Sequence, residues 1–216
     1  MSVRLIALSQ PCIPGVTTPE ELLAYCARVS SSANQLNHAT GPKLLRSLIE
    51  RQEWSPLEMV SLTIEIVTTR DIARQILRHR SFSFQEFSQR YAAVVETPVL
   101  REVRLQDHKD RQNSIETDDQ ALAQWWADTQ MIVAEQTAGA YQSALDRGIA
   151  KEVARVVLPE GMTITRLYMA GTLRSWFHYT QLRADPKTQK EHRLIAEACG
   201  AIIAREFPSL AKVEKS

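Results

Sequence analysis

Two segments with alternating apolar and polar residues constrain the fold of this chain most strongly. Residues 59–68 (Met-Val-Ser-Leu-Thr-Ile-Glu-Ile-Val-Thr) alternate and are rich in β-branched residues, and residues 162–169 (Met-Thr-Ile-Thr-Arg-Leu-Tyr-Met) repeat the pattern. Such alternation is typical of strands that bury one face. Residues 3–8 indicate a further short strand at the start of the chain. The fold must therefore contain a sheet.

Helical patterns fill most of the sequence around these strands. Thr18 can cap a helix that has Pro19 and two acids in its first turn and runs to about Val29. Further helices are predicted from Gly41 and over residues 70–77, 121–146, 150–157, 172–182 and 187–207. We expect a short strand near residues 99–105 and a surface loop or insertion over residues 107–119. Because no repeat or linker divides the chain, we predict one α+β domain over residues 1–216.

Composition excludes several classes of protein. Lys and Arg number 26 against 25 Asp and Glu, a balance that argues against a general nucleic-acid binder. No run of eighteen apolar residues and no signal-peptide profile is present, so we expect no membrane segment and a cytoplasmic location. The three dispersed cysteines predict reduced thiols, with Cys26 and Cys199 in the core, and the five histidines lack the spacing of a metal site.

Residues 78–91, called the motif segment below, are the candidate functional region. They contain three arginines, one histidine, three serines and one glutamate, separated by aromatic residues. Arginine offers a planar fork of donors to a phosphate group, and a serine hydroxyl can add a hydrogen bond to the same anion. The pattern therefore predicts a site for an anionic ligand. The alternative is a solvated helix end whose arginines pair with Glu86 and other acids.

The motif segment also matches a known family signature. The pattern RHRxxSxxxxSxR is filled at every fixed position by Arg78, His79, Arg80, Ser83, Ser88 and Arg90. Residues 54–58 look like the SPxE segment of the same family, residues 155–159 look like its ARxxLP segment, and residues 172–178 and 181–183 look like its C-terminal helix. The chain thus resembles the flavin-dependent thymidylate synthases (the ThyX family) from about residue 50 to about residue 190.

The resemblance implies a fold and a reaction. It implies a mostly antiparallel sheet flanked by helices, and a homotetramer whose sites are shared between subunits. Members methylate dUMP to dTMP, taking the carbon from methylenetetrahydrofolate and the hydride from reduced FAD, which NADPH usually re-reduces. They need no cysteine nucleophile, and no cysteine here lies in a motif that would activate a thiolate. The implied partners are therefore small molecules and further subunits, with no nucleic acid and no membrane.

The resemblance also assigns residues to two ligands. The implied dUMP-binding residues are Gln75, Arg78, Glu86, Ser88, Arg90, Arg155 and Arg183. The implied FAD-binding residues are Ser55, Glu58, Arg78, His79, Arg80, Thr172, Arg174 and His178. Arg155 resembles the residue that reaches the nucleotide of a neighbouring subunit, and Arg183 resembles the catalytic arginine that favours ionisation at N3 of uracil.

Physical chemistry refines several of these assignments. Arg90, Arg155 and the Ser88 hydroxyl are a plausible donor set for a phosphate, whereas Glu86 is better placed on a sugar hydroxyl or an arginine. Ser88 is assigned to binding, because no histidine and acid are spaced to activate it as a nucleophile. Repulsion from the neighbouring arginines should keep His79 neutral. Without the resemblance, Arg183 reads as a helix-terminal arginine near Asp185.

The chain departs from the family pattern at two positions. Glu53 stands where many members carry a histidine, and Phe84 stands where a polar residue is common. No GxGxxG sequence is present, so FAD would not be bound by a Rossmann fold.

Two alternatives to an enzyme remain open on the sequence. A non-catalytic nucleotide- or RNA-binding module would use the same arginines, with Phe82, Phe84 and Phe87 stacking on bases. A purely structural domain would tolerate the loss of Arg78 or Arg90.

Overall fold

The computed structural model describes residues 1–94 and 97–210, and it interleaves strands with helices along the chain. The strands are β1 (Ser2–Leu8), β2 (Ser61–Thr69), β3 (Ser83–Glu86), β4 (Arg104–Gln106), β5 (Ser114–Glu116) and β6 (Ile164–Thr172). The helices are α1 (Pro19–Ala27), α2 (Gly41–Glu50), α3 (Arg70–Ile76), α4 (Gln120–Asp146), α5 (Lys151–Ala154), α6 (Leu173–Arg183) and α7 (Lys190–Glu206). This order confirms the α+β class.

The main sheet has the strand order β1-β2-β6-β3, and every neighbouring pair is antiparallel. The central pair is the longest and runs in register from Ser61 opposite Thr172 to Thr69 opposite Ile164. The two strongest alternating segments of the sequence thus become the two inner strands. The predicted antiparallel sheet flanked by helices is confirmed.

The hydrophobic core lies between this sheet and the helices that cover it. Leu62, Ile64 and Ile66 of β2 and Leu167 and Met169 of β6 are at most 1% exposed. Trp176 of α6 is fully buried, and its indole N–H donates to the carbonyl oxygen of Leu62 at 3.1 Å. Because an indole N–H left unpaired in the core would be costly, this hydrogen bond helps fix α6 against the sheet.

Local signals define the helix ends. Thr18 caps α1, as the sequence predicted, and forms a capping box with Glu21. After α2, Gln52 adopts a positive φ of 59°, while the amides of Gln52 and Glu53 donate to the carbonyls of Ile49 and Leu48 at 3.0 and 2.8 Å. This arrangement is a Schellman motif, in which glycine is the usual residue at the left-handed position.

The structure differs from the predictions mainly between residues 99 and 119. The strand expected near residues 99–105 covers only residues 104–106, and it pairs with β5 inside the segment expected to be a loop. Strands of three residues contain too few alternations to be recognised. Along α4, Trp125 and Ile132 are more than half exposed.

No helix of residues 1–94 and 97–210 is both long and apolar enough to cross a membrane.

Candidate functional site

The motif segment links helix α3 to the edge strand β3 of the main sheet. Arg78 to Arg80 follow α3, and residues 83–86 pair with β6 in the register Glu86 opposite Leu167. Phe82 anchors the turn between them, because its ring is buried 4.8 Å from the ring of Trp176. The polar side chains around this anchor are therefore held on a rigid support.

Two of the three phenylalanines proposed to stack on bases, Phe82 and Phe84, are committed to the core. Phe82 is only 9% exposed, and Phe84 packs against the same core. A single-strand-binding site needs exposed rings on which bases can stack. The alternative of an RNA-binding module is therefore not favoured.

Arg183, the last residue of α6, contacts the motif segment directly. Its Nε donates a hydrogen bond to Nε2 of His79 at 2.9 Å. Without the resemblance, Asp185 would be the expected partner of Arg183. Asp185 instead accepts a hydrogen bond from the backbone amide of Lys187. The structure thus brings together one residue assigned to the nucleotide and one assigned to the flavin.

His79 is neutral in this position. Burial lowers the pKa of His79 to about 4, and the charge of Arg183 adds to the effect. The expected neutrality is correct, but it is caused by burial and by the charge of Arg183, which is distant in sequence but hydrogen-bonded to His79. The adjacent arginines are not its cause. Because Nε2 accepts from Arg183, the ring proton must lie on Nδ1.

Gln75, on the last turn of α3, lies in a polar network behind His79. Its amide nitrogen donates to Oε1 of Gln189 at 2.7 Å, and its amide oxygen lies 3.3 Å from Nδ1 of His192. The other ring nitrogen of His192 is 3.1 Å from the hydroxyl of Tyr179. Tyr179 also packs edge-on against His79, with ring centroids 4.9 Å apart. Gln75 and His79 are therefore supported by the same buried residues.

Five residues assigned to FAD gather at the beginning of α6 and are called the flavin-side cluster. They are Ser55, Glu58, Thr172, Arg174 and His178. Ser55 and Glu58 lie in a short 3₁₀-helix, and Glu58 forms an ion pair with Arg174. Thr172 caps α6 by accepting from the amide of Ser175 at 3.3 Å.

The flavin-side cluster is joined to the motif segment by neighbouring contacts. The hydroxyl of Ser175 donates to the carbonyl oxygen of Ser81 at 3.3 Å. His178 is exposed and lies edge-on to Trp54, with ring centroids 4.5 Å apart. Partial burial and the charge of Arg174 lower the pKa of His178. A lone histidine in a helix is more often packed in the core, but His178 is not.

Arg78 and Arg80 flank His79 with exposed side chains. Neither side chain makes a hydrogen bond or ion pair within residues 1–94 and 97–210. Their guanidinium groups are therefore available to an anion.

Glu86 has the arginine-pinning role that its chemistry suggested. Its Oε1 accepts a hydrogen bond from the hydroxyl of Thr165 at 2.8 Å and lies 3.4 Å from a guanidinium nitrogen of Arg70. Both contacts are partly buried, so this carboxylate helps to hold β3 and β6 together beside the motif segment.

Glu152 joins Arg90 and Arg155, the two arginines assigned to the phosphate. The carboxylate of Glu152 accepts from Nε of Arg90 at 3.0 Å, and its backbone carbonyl accepts from Nε of Arg155 at 3.3 Å. Sequence reasoning missed Glu152. Its position three residues before Arg155, on one helical turn, is the only signal that could have indicated it.

The expected phosphate set is divided between two clefts. Ser88 and Glu86 line a cleft of about 540 Å³ beside Tyr168, whereas Arg155 lines another of about 590 Å³ with Gln89. Within one chain, the side chain of Ser88 is therefore not brought to the cleft of Arg155. Sequence neighbours Ser88 and Gln89 face different clefts.

The cysteines are not placed to act as nucleophiles in this site. Cys199 is fully buried, and burial raises the pKa of its thiol to about 12. Cys26 is half-buried and Cys12 is exposed. A buried thiol with so high a pKa is a poor nucleophile at neutral pH.

Comparisons with known proteins agree with this geometry. The family model described as Thymidylate synthase complementing protein (Thy1) matches residues 13–209. A flavin-dependent thymidylate synthase of Synechocystis sp. is 50% identical over 214 residues, which cover 98% of this chain and 98% of that relative. A probable flavin-dependent thymidylate synthase of Paramecium bursaria Chlorella virus 1 is 50% identical over 212 residues, again covering 98% of each chain.

A solved structure shares the fold. The crystal structure of a UMP/dUMP methylase, PolB from Streptomyces cacaoi bound with 5-Br dUMP, superimposes with a TM-score of 0.81 at 26% identity. The match covers 98% of this chain and 93% of that chain. Fold and relatives together define a flavin-dependent methyltransferase. The chain belongs to the flavin-dependent thymidylate synthase family.

Proposed function

We propose that this chain converts dUMP to dTMP, with methylenetetrahydrofolate as carbon donor, reduced FAD as hydride donor and NADPH as the reductant of the flavin. The observation that carries the proposal is the hydrogen bond between Arg183 and His79. It joins the residues assigned to the nucleotide with those assigned to the flavin. A reductive methylation needs these two ligands in contact, because hydride must pass from one to the other.

The donor set fits FAD. Arg78 and Arg80 carry exposed guanidinium groups suited to a pyrophosphate, and the flavin-side cluster contains Arg174, which is paired with Glu58. His79 would offer the flavin a neutral Nδ1–H, because its Nε2 accepts from Arg183. When bound, the flavin supplies the hydride, and the chain supplies orientation and charge.

For the nucleotide, we assign the phosphate to Arg90 and Arg155 and the base to Arg183. A phosphate dianion can accept hydrogen bonds from several guanidinium groups and a serine hydroxyl. Arg183 would stabilise negative charge that develops on the pyrimidine, which is the proposed catalytic contribution of this residue. Its hydrogen bond to His79 would hold the guanidinium plane in one orientation.

We propose that the sites are shared between subunits of a homotetramer. Ser88 and Arg155 line separate clefts of one chain, so a second copy is needed to supply both to one phosphate. Ile132 of α4 is 56% exposed and Val156 beside Arg155 is 82% exposed, so apolar surface is available for contact between copies. The cytoplasmic location stays a prediction.

The test of shared sites is complementation. The variants Arg155→Ala and Arg183→Ala are purified separately, dissociated together and reassembled. If a site takes these residues from two subunits, random reassembly restores about a quarter of the sites. Sedimentation of the wild type should give the mass of four chains. No recovery of activity in mixed oligomers would contradict sharing.

The test of the reaction is direct. Purified protein should be yellow, should take up FAD, and should release tritium from 5-tritiated dUMP when methylenetetrahydrofolate and NADPH are supplied. Omission of the folate donor should abolish formation of dTMP. Colourless protein that takes up no FAD and releases no tritium would contradict the proposal.

A further inference from the structure

A continuous row of hydrogen bonds passes through Gln75. It begins at the hydroxyl of Tyr179, which lies 3.1 Å from Nε2 of His192, and continues over 3.3 Å from Nδ1 of His192 to the amide oxygen of Gln75. The amide nitrogen of Gln75 donates to Gln189 at 2.7 Å, and Gln189 donates to Glu191 at 3.0 Å. The row therefore connects α3, α6 and the first turn of α7.

The carboxylate of Glu191, at one end of the row, determines which group donates and which accepts in each hydrogen bond. Glu191 is 6% exposed and lies 2.8 Å from a guanidinium nitrogen of Arg104 and 3.3 Å from one of Arg101. Burial works to raise the pKa of Glu191, but the hydrogen bond from Arg104 and the charge of Arg101 hold it below its usual value. A carboxylate only accepts hydrogen bonds, so Gln189 must present its NH₂ group to Glu191.

The orientation of the Gln189 amide then determines the orientation of the Gln75 amide. Because the NH₂ group of Gln189 faces Glu191, its oxygen faces Gln75 and can only accept. Gln75 must therefore present its NH₂ group to Gln189 and its oxygen to His192. Each amide has one oxygen and one nitrogen, so the reverse orientation would set two donors or two acceptors against each other.

His192 completes the row as a neutral ring. It is fully buried, and burial, with the charges of Arg183 and His79, lowers the pKa of His192 to about 4. A neutral imidazole has one N–H and one unprotonated nitrogen. Nδ1 must carry the proton, because the oxygen of Gln75 needs a donor, and Nε2 then accepts from the hydroxyl of Tyr179.

We propose that His192 is a positioning residue that fixes the amide of Gln75, so that Gln75 presents only an N–H to the nucleotide. The oxygen of Gln75 is turned towards the buried ring of His192, one of its two N–H groups is used within the row, and the second N–H remains. Such an N–H binds an acceptor oxygen of the ligand and disfavours a donor in the same place. The inference rests on the proposed function, in which Gln75 contacts dUMP.

The chain offers variants that separate positioning from general stability. His192→Leu removes the donor to Gln75, and we expect KM for dUMP to rise roughly tenfold, the cost of about one hydrogen bond, while kcat changes little. His192→Asn places an amide N–H near the position of Nδ1 and should restore most of the wild-type KM. Gln189→Met removes the side-chain oxygen that accepts from Gln75. Because Gln189 is only partly buried, this variant should fold and raise KM even if His192→Leu does not fold.

Controls and failures are distinguishable in this experiment. Gln136→Met, on the exposed part of α4, should leave KM unchanged. Wild-type protein that forms no dTMP would contradict the proposed function. An active wild type with unchanged KM in both His192→Leu and Gln189→Met would instead contradict the positioning role alone. Nitrogen-15 NMR of labelled histidines should find the His192 proton on Nδ1, and a proton on Nε2 would also overturn the inference.

Discussion

At the scale of single residues, Arg183 takes its role from a partner 104 positions away in sequence. Taken alone, an arginine at the end of a helix is expected to interact with the helix dipole and a nearby acid. In the folded chain its Nε is instead bound to a neutral histidine, which cannot neutralise its charge. The full positive charge of Arg183 therefore remains available to a ligand.

We predict that Arg183→Ala and Arg183→Lys have different effects on His79. The alanine variant removes the cation that helps to lower the pKa of His79, so this pKa should rise towards 6.5. Lysine keeps a positive charge, so the pKa should stay closer to the wild-type value. Proton NMR titration of the His79 ring measures both. The same pKa in the wild type and the alanine variant would show that the charge of Arg183 is not felt there.

Both variants should also lose activity. If Arg183 stabilises charge developing on the base, its removal should lower kcat by roughly 100-fold or more. Arg193→Ala, on α7, serves as a control that removes an arginine outside the assigned residues. Steady-state kinetics with saturating dUMP measure the effect. A wild-type kcat in Arg183→Ala would contradict the catalytic assignment.

Gln52 gives a second prediction at the residue scale. A non-glycine residue with φ of 59° carries a steric cost of about 1 kcal/mol, which glycine avoids. Glycine has more freedom in the unfolded chain, so Gln52→Gly should gain only about 0.5 kcal/mol of unfolding free energy. Urea denaturation measures this difference. Gln52→Ala, which keeps the steric cost, should show no gain, and equal stabilities of the glycine and alanine variants would contradict the explanation.

Single residues also mark the limit of what the sequence could predict. The motif arginines and Arg183 are recognisable because their spacing matches a signature. Glu152 and His192 are not, because each is an ordinary residue of a helical pattern and acquires its role through a contact in three dimensions. A lone histidine on an apolar helix is usually a satisfied core residue, and nothing in the sequence reveals that Gln75 is its partner.

At the scale of elements, the packing of Gly171 in β6 against Phe82 ties the sheet to the motif segment. A Cβ at residue 171 would lie 2.5 Å from Cδ1 of Phe82, which is too close for any real contact. The Phe82 ring cannot easily retreat, because it packs against Trp176. The strand therefore needs glycine here for close approach rather than for an unusual backbone angle.

We accordingly predict that Gly171→Ala destabilises the fold by about 1–3 kcal/mol, the usual cost of overpacking. Gly139→Ala is the matched control, because a Cβ there meets no atom within 4 Å. In the middle of α4 that change should instead stabilise by about 0.5–1 kcal/mol. Thermal and urea unfolding of both variants provide the comparison. If Gly171→Ala is as stable as the wild type, the contact with Phe82 is not rigid.

Adding Phe82→Leu to Gly171→Ala tests the contact itself. The smaller side chain should recover part of the stability lost by the single glycine variant, since the two changes concern the same space. Strictly additive effects would indicate that the two residues do not interact.

Elements were predictable where the pattern was long. The nine-residue strands β2 and β6 and the 27-residue helix α4 contain enough periods to be recognised from sequence. Strands β4 and β5 have only three residues each, so they were missed or misplaced. Their pairing is stabilised partly by contacts outside the hairpin, such as Arg104 with Glu191, which a local pattern does not contain.

At the scale of the whole molecule, the buried histidine makes stability depend on pH. His192 faces Tyr179, Gln75, His79 and the charge of Arg183. Its pKa of about 4 in the folded chain is below the ordinary 6.5, so the unfolded chain binds a proton first as the pH falls. Stability from this group is therefore complete above about pH 6.5 and is lost as the pH falls towards 4.

We predict that the unfolding free energy of the wild type decreases by about 1 kcal/mol per pH unit from His192 between pH 6 and pH 4.5. His79, whose pKa is also lowered to about 4, should add to this slope. Urea denaturation at a series of pH values measures the slope. The His192→Asn variant has no proton to take up, so its slope should be shallower. Identical slopes for the two proteins would contradict the prediction.

The assembly lies beyond what one chain's sequence can specify. Exposed apolar residues on α4, such as Trp125 and Ile132, follow the same helical periodicity as residues that face a core. Periodicity identifies an apolar face but does not say whether the same chain or another copy covers it. The family resemblance supplied the expectation of a homotetramer, and the physical pattern alone did not.

The contact of Glu152 with Arg90 and Arg155 has a consequence for how an anion binds. In the free chain the carboxylate of Glu152 already forms an ion pair with Arg90. A bound phosphate would therefore have to displace this carboxylate from the guanidinium group. Only the difference between the interaction of Arg90 with phosphate and its interaction with the Glu152 carboxylate then contributes to the affinity for phosphate. A dianion gains over a single carboxylate, whereas a monoanion gains little. The protonation state of the phosphate would therefore set affinity more strongly than its size.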